Sequence, residues 1–263
     1  MKKRTLSAIV LMLLLIGSFI INSKLFSILM LLVSIMGFNE FFTIKYKDNN
    51  KCIRLVKYMG MFLVGLIVVG SSLLKIDMNI LIMLPLIVLG IPIVFYNMLD
   101  KYNIEDYFYV LGIVYLLGMG FGNISNLAIN RPHLCIFIFL IAFLTDTYAY
   151  ISGSLIGRCK FTSISPNKTI EGTVIGLIMG SIIGITYYYN VIGDMSLVGT
   201  VILCLLLSMI SEIGDLLFSS IKRHFNKKDF SDLIPGHGGV LDRFDSVIYV
   251  SLGVMLFLSI LVK

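Results

Sequence analysis

Charge is what this sequence lacks most: Asp, Glu, Lys and Arg together make up 14% of its 263 residues. A soluble domain of similar length carries roughly 25%, and a large core alone does not close that gap. An ordinary soluble enzyme is thereby excluded. Tryptophan is absent, so only tyrosine is left to form an aromatic belt at a membrane interface. Cysteine is scarce: Cys52, Cys135, Cys159 and Cys204 form no C-x-x-C pair, and Cys135 and Cys204 fall in apolar runs. Neither a disulfide nor a zinc site follows from that spacing.

What is abundant is apolar surface, with 58% hydrophobic residues and a mean hydropathy of +0.97. It gathers in runs close to the ~20 residues that span hydrocarbon. Nine can be drawn, at 5–22, 25–44, 58–74, 79–96, 107–127, 134–156, 170–190, 197–220 and 246–262. The expected fold class is therefore all-α, a polytopic integral membrane protein of about nine transmembrane helices. No small-residue cleavage site follows the first run, which reads as a retained span. With the N-terminus inside, only Lys24, Lys75, Arg131 and Lys263 of the 21 Lys and Arg residues fall in outside segments. That bias predicts N-terminus in and C-terminus out. The net charge of +6 then reports orientation and attraction to anionic lipid or a nucleotide, with no nucleic acid implied.

Residues 1–130 read as N-terminal transmembrane helices whose expected uses are helix packing and lipid entry. Their polar content is sparse. Glu40 near a helix end is expected to reach interfacial water, and Asp100, Glu105 and Asp106 in a short connection to be solvated. Gly90, Gly112, Gly118, Gly120 and Gly122 suit close helix packing. Residues 131–263 read as the catalytic membrane region, including a cytoplasmic segment at 219–246. Here charged residues enter apolar spans, where each is costly, and they gather at cytoplasmic ends in 145–172, 211–223 and 227–246.

The last of these segments sets Lys222, Arg223, Lys227, Lys228 and Arg243 beside Asp229, Asp232, Asp242 and Asp245. Gly236, Gly238 and Gly239 let the backbone approach a ligand. Cations with Gly-rich backbone suit phosphates. Interspersed aspartates suit Mg²⁺, which takes one or two carboxylates and completes its shell with water and phosphate oxygens. In the preceding span, Ser211, Asp215, Ser219 and Lys222 share one helical stripe, with Glu212 a position off it. Asp215, about two turns inside, calls for a cation: Mg²⁺ shared with Asp242, or a structural ion pair with a basic neighbour. Upstream, Asp146 lies in an apolar span ahead of Gly153 and Gly157, a small-x-x-x-small pair that points to helix packing. Ser165, Pro166, Asn167, Lys168 and Thr169 precede the next span. They suit an anion site at a helix N-terminus and ordinary capping equally.

On these residues the sequence resembles the phosphatidate cytidylyltransferase (CDP-diacylglycerol synthase) family. The signature positions are Ser219, Ile221, Lys222, Arg223, Lys228, Asp229, Ser231, Ile234, Pro235, His237, Gly238, Gly239, Val240, Asp242, Arg243, Phe244 and Asp245. The stretches Asp146–Gly157 and Ser165–Thr169 look like upstream motifs of the same family. Phe218 departs from it, standing where many members carry Glu. The resemblance implies Mg²⁺-dependent transfer of CMP from CTP to phosphatidic acid, releasing pyrophosphate. It implies Mg²⁺ on Asp215 and Asp242 with Asp245 as helper, and Ser219 and Lys222 at the reaction centre. Phosphates would be held by Lys222, Arg223, Arg243 and Lys168, with Asp146 and Asn167 also on the substrate side. His237, Gly238 and Gly239 would shape the nucleotide loop. Expected partners are CTP, phosphatidic acid and the bilayer of the bacterial plasma membrane, with the site on the cytoplasmic face; a homodimer is compatible with this. Two alternatives stay open: a CTP-dependent transferase for another lipid, and a transporter using Asp146, Glu212 and Asp215 as an ion path.

Overall fold

The computed structural model describes residues 2–46, 51–95, 102–162, 164–234 and 238–261. These form α1 (Lys2–Ile21), α2 (Ser23–Lys45), α3 (Lys51–Val69), α4 (Met78–Phe95), α5 (Ile104–Asn130), α6 (Pro132–Ile156), α7 (Ile170–Tyr187), α8 (Leu197–His224) and α9 (Leu241–Leu261). Wider π-helical turns at Gly70–Leu74 and Tyr188–Ile192 extend α3 and α7. Among the described residues the only β pairing consists of two isolated bridges. Among the described residues seven helices, α2, α3 and α5 to α9, are long and apolar enough to cross a membrane, and the apolar stretches Val10–Ile21 and Met78–Val94 are shorter. The chain is an all-helical, multi-pass membrane protein.

It divides into two compact units. The first comprises Met1–Asn130 and Asp229–Asp242; the second comprises Arg131–Lys228 and Arg243–Lys263. In the first, α2, α3 and α5 pack together. Gly118 lets α5 approach Ile67, where a Cβ would come within 2.8 Å of the isoleucine side chain, and Gly122 does the same against Ser71. Gly112, expected at such a contact, has no neighbour there. The start of α5 is a reciprocal cap: Asp106 N–H donates to Asn103 Oδ1 (2.8 Å), and Asn103 N–H to Asp106 Oδ2 (3.1 Å). Asp106 also accepts from Tyr46 Oη and pairs with Lys45, both at 2.6 Å. It is not the solvated carboxylate that its polar connection suggested, whereas Glu105 is exposed. Along α5, Tyr107 donates to Leu86 O (3.1 Å) and Tyr115 to Ile82 O, so α4 and α5 run antiparallel. The second of these bonds satisfies a carbonyl beside the break that Pro85 makes in the α4 ladder.

In the second unit the tightest packing joins α6 to α7. Gly172, Gly176 and Gly180 recur every four residues and face Ala149 and Thr145. A Cβ at Gly176 would stand 2.7 Å from Thr145 O and 2.9 Å from Ala149 N. Backbone atoms cannot yield as a flexible side chain can. Gly176→Leu is therefore expected to separate the two helices and cost at least about 3 kcal/mol, the upper range for overpacking. Folded yield and unfolding in detergent check this, and a variant as stable as the parent would contradict the contact. Gly153, expected to serve packing, does so against Thr169 and Gly172. Against α9, Gly214 of α8 abuts Tyr249, and the Tyr249 ring lies edge-on to Phe218.

Candidate active site

In the second unit, the chain between α6 and α7 is built to deliver one lysine. Lys160 bridges Thr169, with Phe161 N–H donating to Lys168 O and Ile170 N–H to Cys159 O (both 2.9 Å). Lys168 N–H donates to Ser165 O (3.0 Å), closing a four-residue turn in which Pro166 supplies the fixed φ of the second position. Asn167 is the exposed third residue of that turn. Thr169 caps α7 by accepting from Gly172 N–H (3.1 Å). Capping is thus the structural role of this stretch, and it aims Lys168 at α8. The ammonium meets Glu212 Oε2 at 2.7 Å and Asp215 Oδ2 at 2.5 Å. Burial works against its charge, but Asp215 and Glu212 outweigh that and hold the ammonium above the usual lysine value.

The expected stripe of α8 lies on the inward side. Ser211, Ser219 and Lys222 are buried, and Asp215 is partly exposed. Glu212, placed off the stripe by its spacing, is buried and ion-paired. From α6, Asp146 Oδ2 accepts from Ser246 Oγ (2.8 Å) within electrostatic reach of Lys168, Asp215 and Glu212. From α9 comes Asp245, buried, with Asp215, Asp146 and Lys222 as its charged surroundings. Arg223 donates to Ile164 O (3.3 Å) and Lys227 O (3.0 Å), tying the end of α8 to the lysine turn. Arg243 is exposed.

Among the described residues no three His, Cys, Asp or Glu side chains form a ready-made metal cage. Mg²⁺ does not need one, since one or two carboxylates with substrate phosphates suffice. The donor chemistry fits. When ionised, the carboxylates of Asp146, Glu212, Asp215 and Asp245 exceed the ammonium groups of Lys168 and Lys222 by two charges. Glu212 Oε1 is buried without a hydrogen-bond partner, an acceptor with unused capacity.

In the first unit, the segment Asp229–Asp242 closes on two carboxylates. Asp242 Oδ2 accepts from Phe230 N–H (3.1 Å) and Gly239 N–H (2.8 Å). Glu40 of α2 accepts from Ser231 Oγ (2.6 Å), Val240 N–H (2.8 Å) and Leu241 N–H (2.9 Å). Glu40 is 2% exposed; the interfacial-water expectation is overturned, because the N-terminus of α9 supplies the donors instead. Gly238 has φ +80°, a left-handed conformation suited to glycine. The anion that the Gly239 N–H holds here is the chain's own Asp242. His237 lies outside the described residues.

The profile of the cytidylyltransferase family matches residues 2–261. This chain belongs to the cytidylyltransferase family. Among curated relatives of this cytidylyltransferase, the phosphatidate cytidylyltransferase of Staphylococcus haemolyticus is 32% identical over 258 residues, covering 95% of this chain and 96% of the relative. Those of Staphylococcus aureus strain COL, 33% identical over the same coverage, and Staphylococcus saprophyticus, 31% over 252 residues, are similar. Two carboxylates have partners that the sequence does not assign them: Glu212 reads only as a position off the stripe and as part of an ion path, and Glu40 only as an interfacial group. Glu212 had a usable signal, since its i, i+3 relation to Asp215 puts both carboxylates beside one cation. Glu40 had none, because its partners lie at the far end of the chain.

Proposed function

We propose that this chain is a phosphatidate cytidylyltransferase that makes CDP-diacylglycerol from CTP and phosphatidic acid. The structural observation that carries the reading is the Lys168–Glu212–Asp215 triad, with Asp146 and Asp245 in electrostatic reach of Asp215, a cluster of carboxylates gathered around one lysine in an apolar helical unit. A transporter reading accounts for these charges but not for family membership over the whole chain.

The acceptor needs no base. A phosphate monoester has a second pKa near ~6, so a phosphatidate oxygen is anionic at neutral pH. That oxygen forms a bond to the α-phosphorus of CTP, the α–β anhydride bond breaks, and pyrophosphate leaves with the electron pair. Asp215 and Asp245 are the proposed Mg²⁺ ligands; bound Mg²⁺ supplies charge neutralisation at the transferring phosphate. Lys168 and Lys222 hold and orient phosphate oxygens, with Arg223 and Arg243 as further cations and Asp146, Asn167 and Ser219 beside them. Asp242 keeps its expected metal role as a proposal, alongside the ordering of the glycine loop, which Gly238 and Gly239 make possible.

We further propose nine crossings, with the N-terminus and the site cytoplasmic in the cell membrane. The lysine and arginine distribution supports this, as does the antiparallel course of α4 along α5. The test is turnover by purified protein in detergent, with phosphatidic acid and labelled CTP, with and without Mg²⁺. Metal-dependent CDP-lipid and pyrophosphate are expected in equal amounts. CTP consumed only with another lipid would replace the acceptor, and no turnover by folded protein would end the reading.

A further inference from the structure

Within the first unit, α2 grips both arms of the segment Asp229–Asp242. On one arm Phe41 packs edge-on to Phe230, ring centroids 4.8 Å apart, and Ser231 donates to Glu40. On the other arm Val240 and Leu241 donate their N–H groups to the same carboxylate. Leu241 opens α9, where the first N–H groups have no partner in the helix and the helix dipole favours an anion. The fit has no slack: a Cβ on Gly239 would stand 2.5–2.7 Å from three atoms of the Glu40 carboxyl group. Inside the arc, Asp242 closes the same turn through Phe230 and Gly239.

We propose that Glu40 is a positioning residue for the cytidylyl transfer: it holds the chain at Ser231 and at Val240 and Leu241, and so fixes how Asp242 stands at the start of α9. The inference rests on the functional reading above. Glu40 touches no reacting atom in it. It acts only through the loop that it holds.

Three variants test this in the full-length protein. Glu40→Gln keeps the size of the side chain but turns an NH₂ group towards donors that need an acceptor. Its kcat is expected to fall about 10- to 100-fold, the factor matching one lost charge-assisted hydrogen bond. Amide exchange at Val240 and Leu241 should quicken by a similar factor, with α5 and α6 amides and folded yield unchanged. Gly239→Ala should show the same defect, since its methyl evicts the carboxylate. Glu40→Asp placed on Gly239→Ala withdraws the carboxylate by one methylene and should recover several-fold of the lost kcat, although it is a second change at the same grip. Faster loop exchange with kcat within twofold of the parent would reduce Glu40 to a structural cap and overturn the proposal. So would a double variant whose losses simply multiply. If the parent protein uses another acceptor lipid, the comparison is made on that reaction. A failure of the functional reading therefore appears in the parent, and a failure of this inference only in the variants.

Discussion

Asp215→Asn is expected to lower kcat by at least about 10²-fold while leaving the folded protein nearly as abundant as the parent. The factor is that for removing one group that stabilises transition-state charge. Two carboxylates share Lys168, and they are not equivalent. The Glu212 side chain is 6% exposed and that of Asp215 24%, so Asp215 is the one an incoming polyphosphate and its metal can reach. Asparagine keeps the shape and an acceptor oxygen but removes the charge. The remaining Lys168–Glu212 pair stays neutral overall, so stability has little reason to change. Steady-state turnover over a range of Mg²⁺ concentrations reads the effect. If Asp215 binds the metal, the Mg²⁺ concentration giving half-maximal turnover rises and excess Mg²⁺ recovers part of the loss; kcat within threefold of the parent with an unshifted Mg²⁺ dependence would leave Asp215 as only the outer half of a structural ion pair. The same series on Asp242→Asn separates metal binding from loop ordering there, since asparagine still offers an oxygen to the N–H groups of Phe230 and Gly239.

The helices were legible because apolar runs of membrane length leave little choice: without water, the backbone bonds internally. The run drawn at 79–96 became α4 despite Pro85 and Pro92; beside Pro85 a carbonyl is served by Tyr115 of the neighbouring helix, which could not be read locally. Asn103-x-x-Asp106 was a readable capping pair, passed over because its connection looked merely polar. Ser165-Pro166-Asn167-Lys168 could be read as turn or anion site, and the structure shows the turn. What the turn aims at depends on α8, some 44 residues on, and no spacing rule reaches that far. Glu40 is the limiting case. A lone carboxylate at a helix end carries no mark of the loop it will hold, and the glycine that accommodates it, Gly239, looks like a phosphate-loop glycine.

The most damaging single change to folding is expected at Lys168. In Lys168→Met, Glu212 and Asp215 lose the cation they share, and Glu212 keeps a buried oxygen that already lacks a partner. Removing one member of a buried ion pair costs about 3–5 kcal/mol, chiefly by stranding the other charge. Methionine roughly preserves the volume of lysine, so a lost cavity contact contributes little and the electrostatic cause is isolated. The double variant Lys168→Met with Glu212→Gln removes the stranded charge and should regain most of the stability. It should regain no turnover, because the cation proposed to hold phosphate is still missing. Unfolding of both variants in the same detergent, with CTP turnover measured on the folded fraction, separates the two roles. A single variant within about 1 kcal/mol of the parent would mean that water or another cation already serves Glu212. A double variant that recovers turnover would remove Lys168 from the phosphate-binding assignment while leaving it as the counterion of α8.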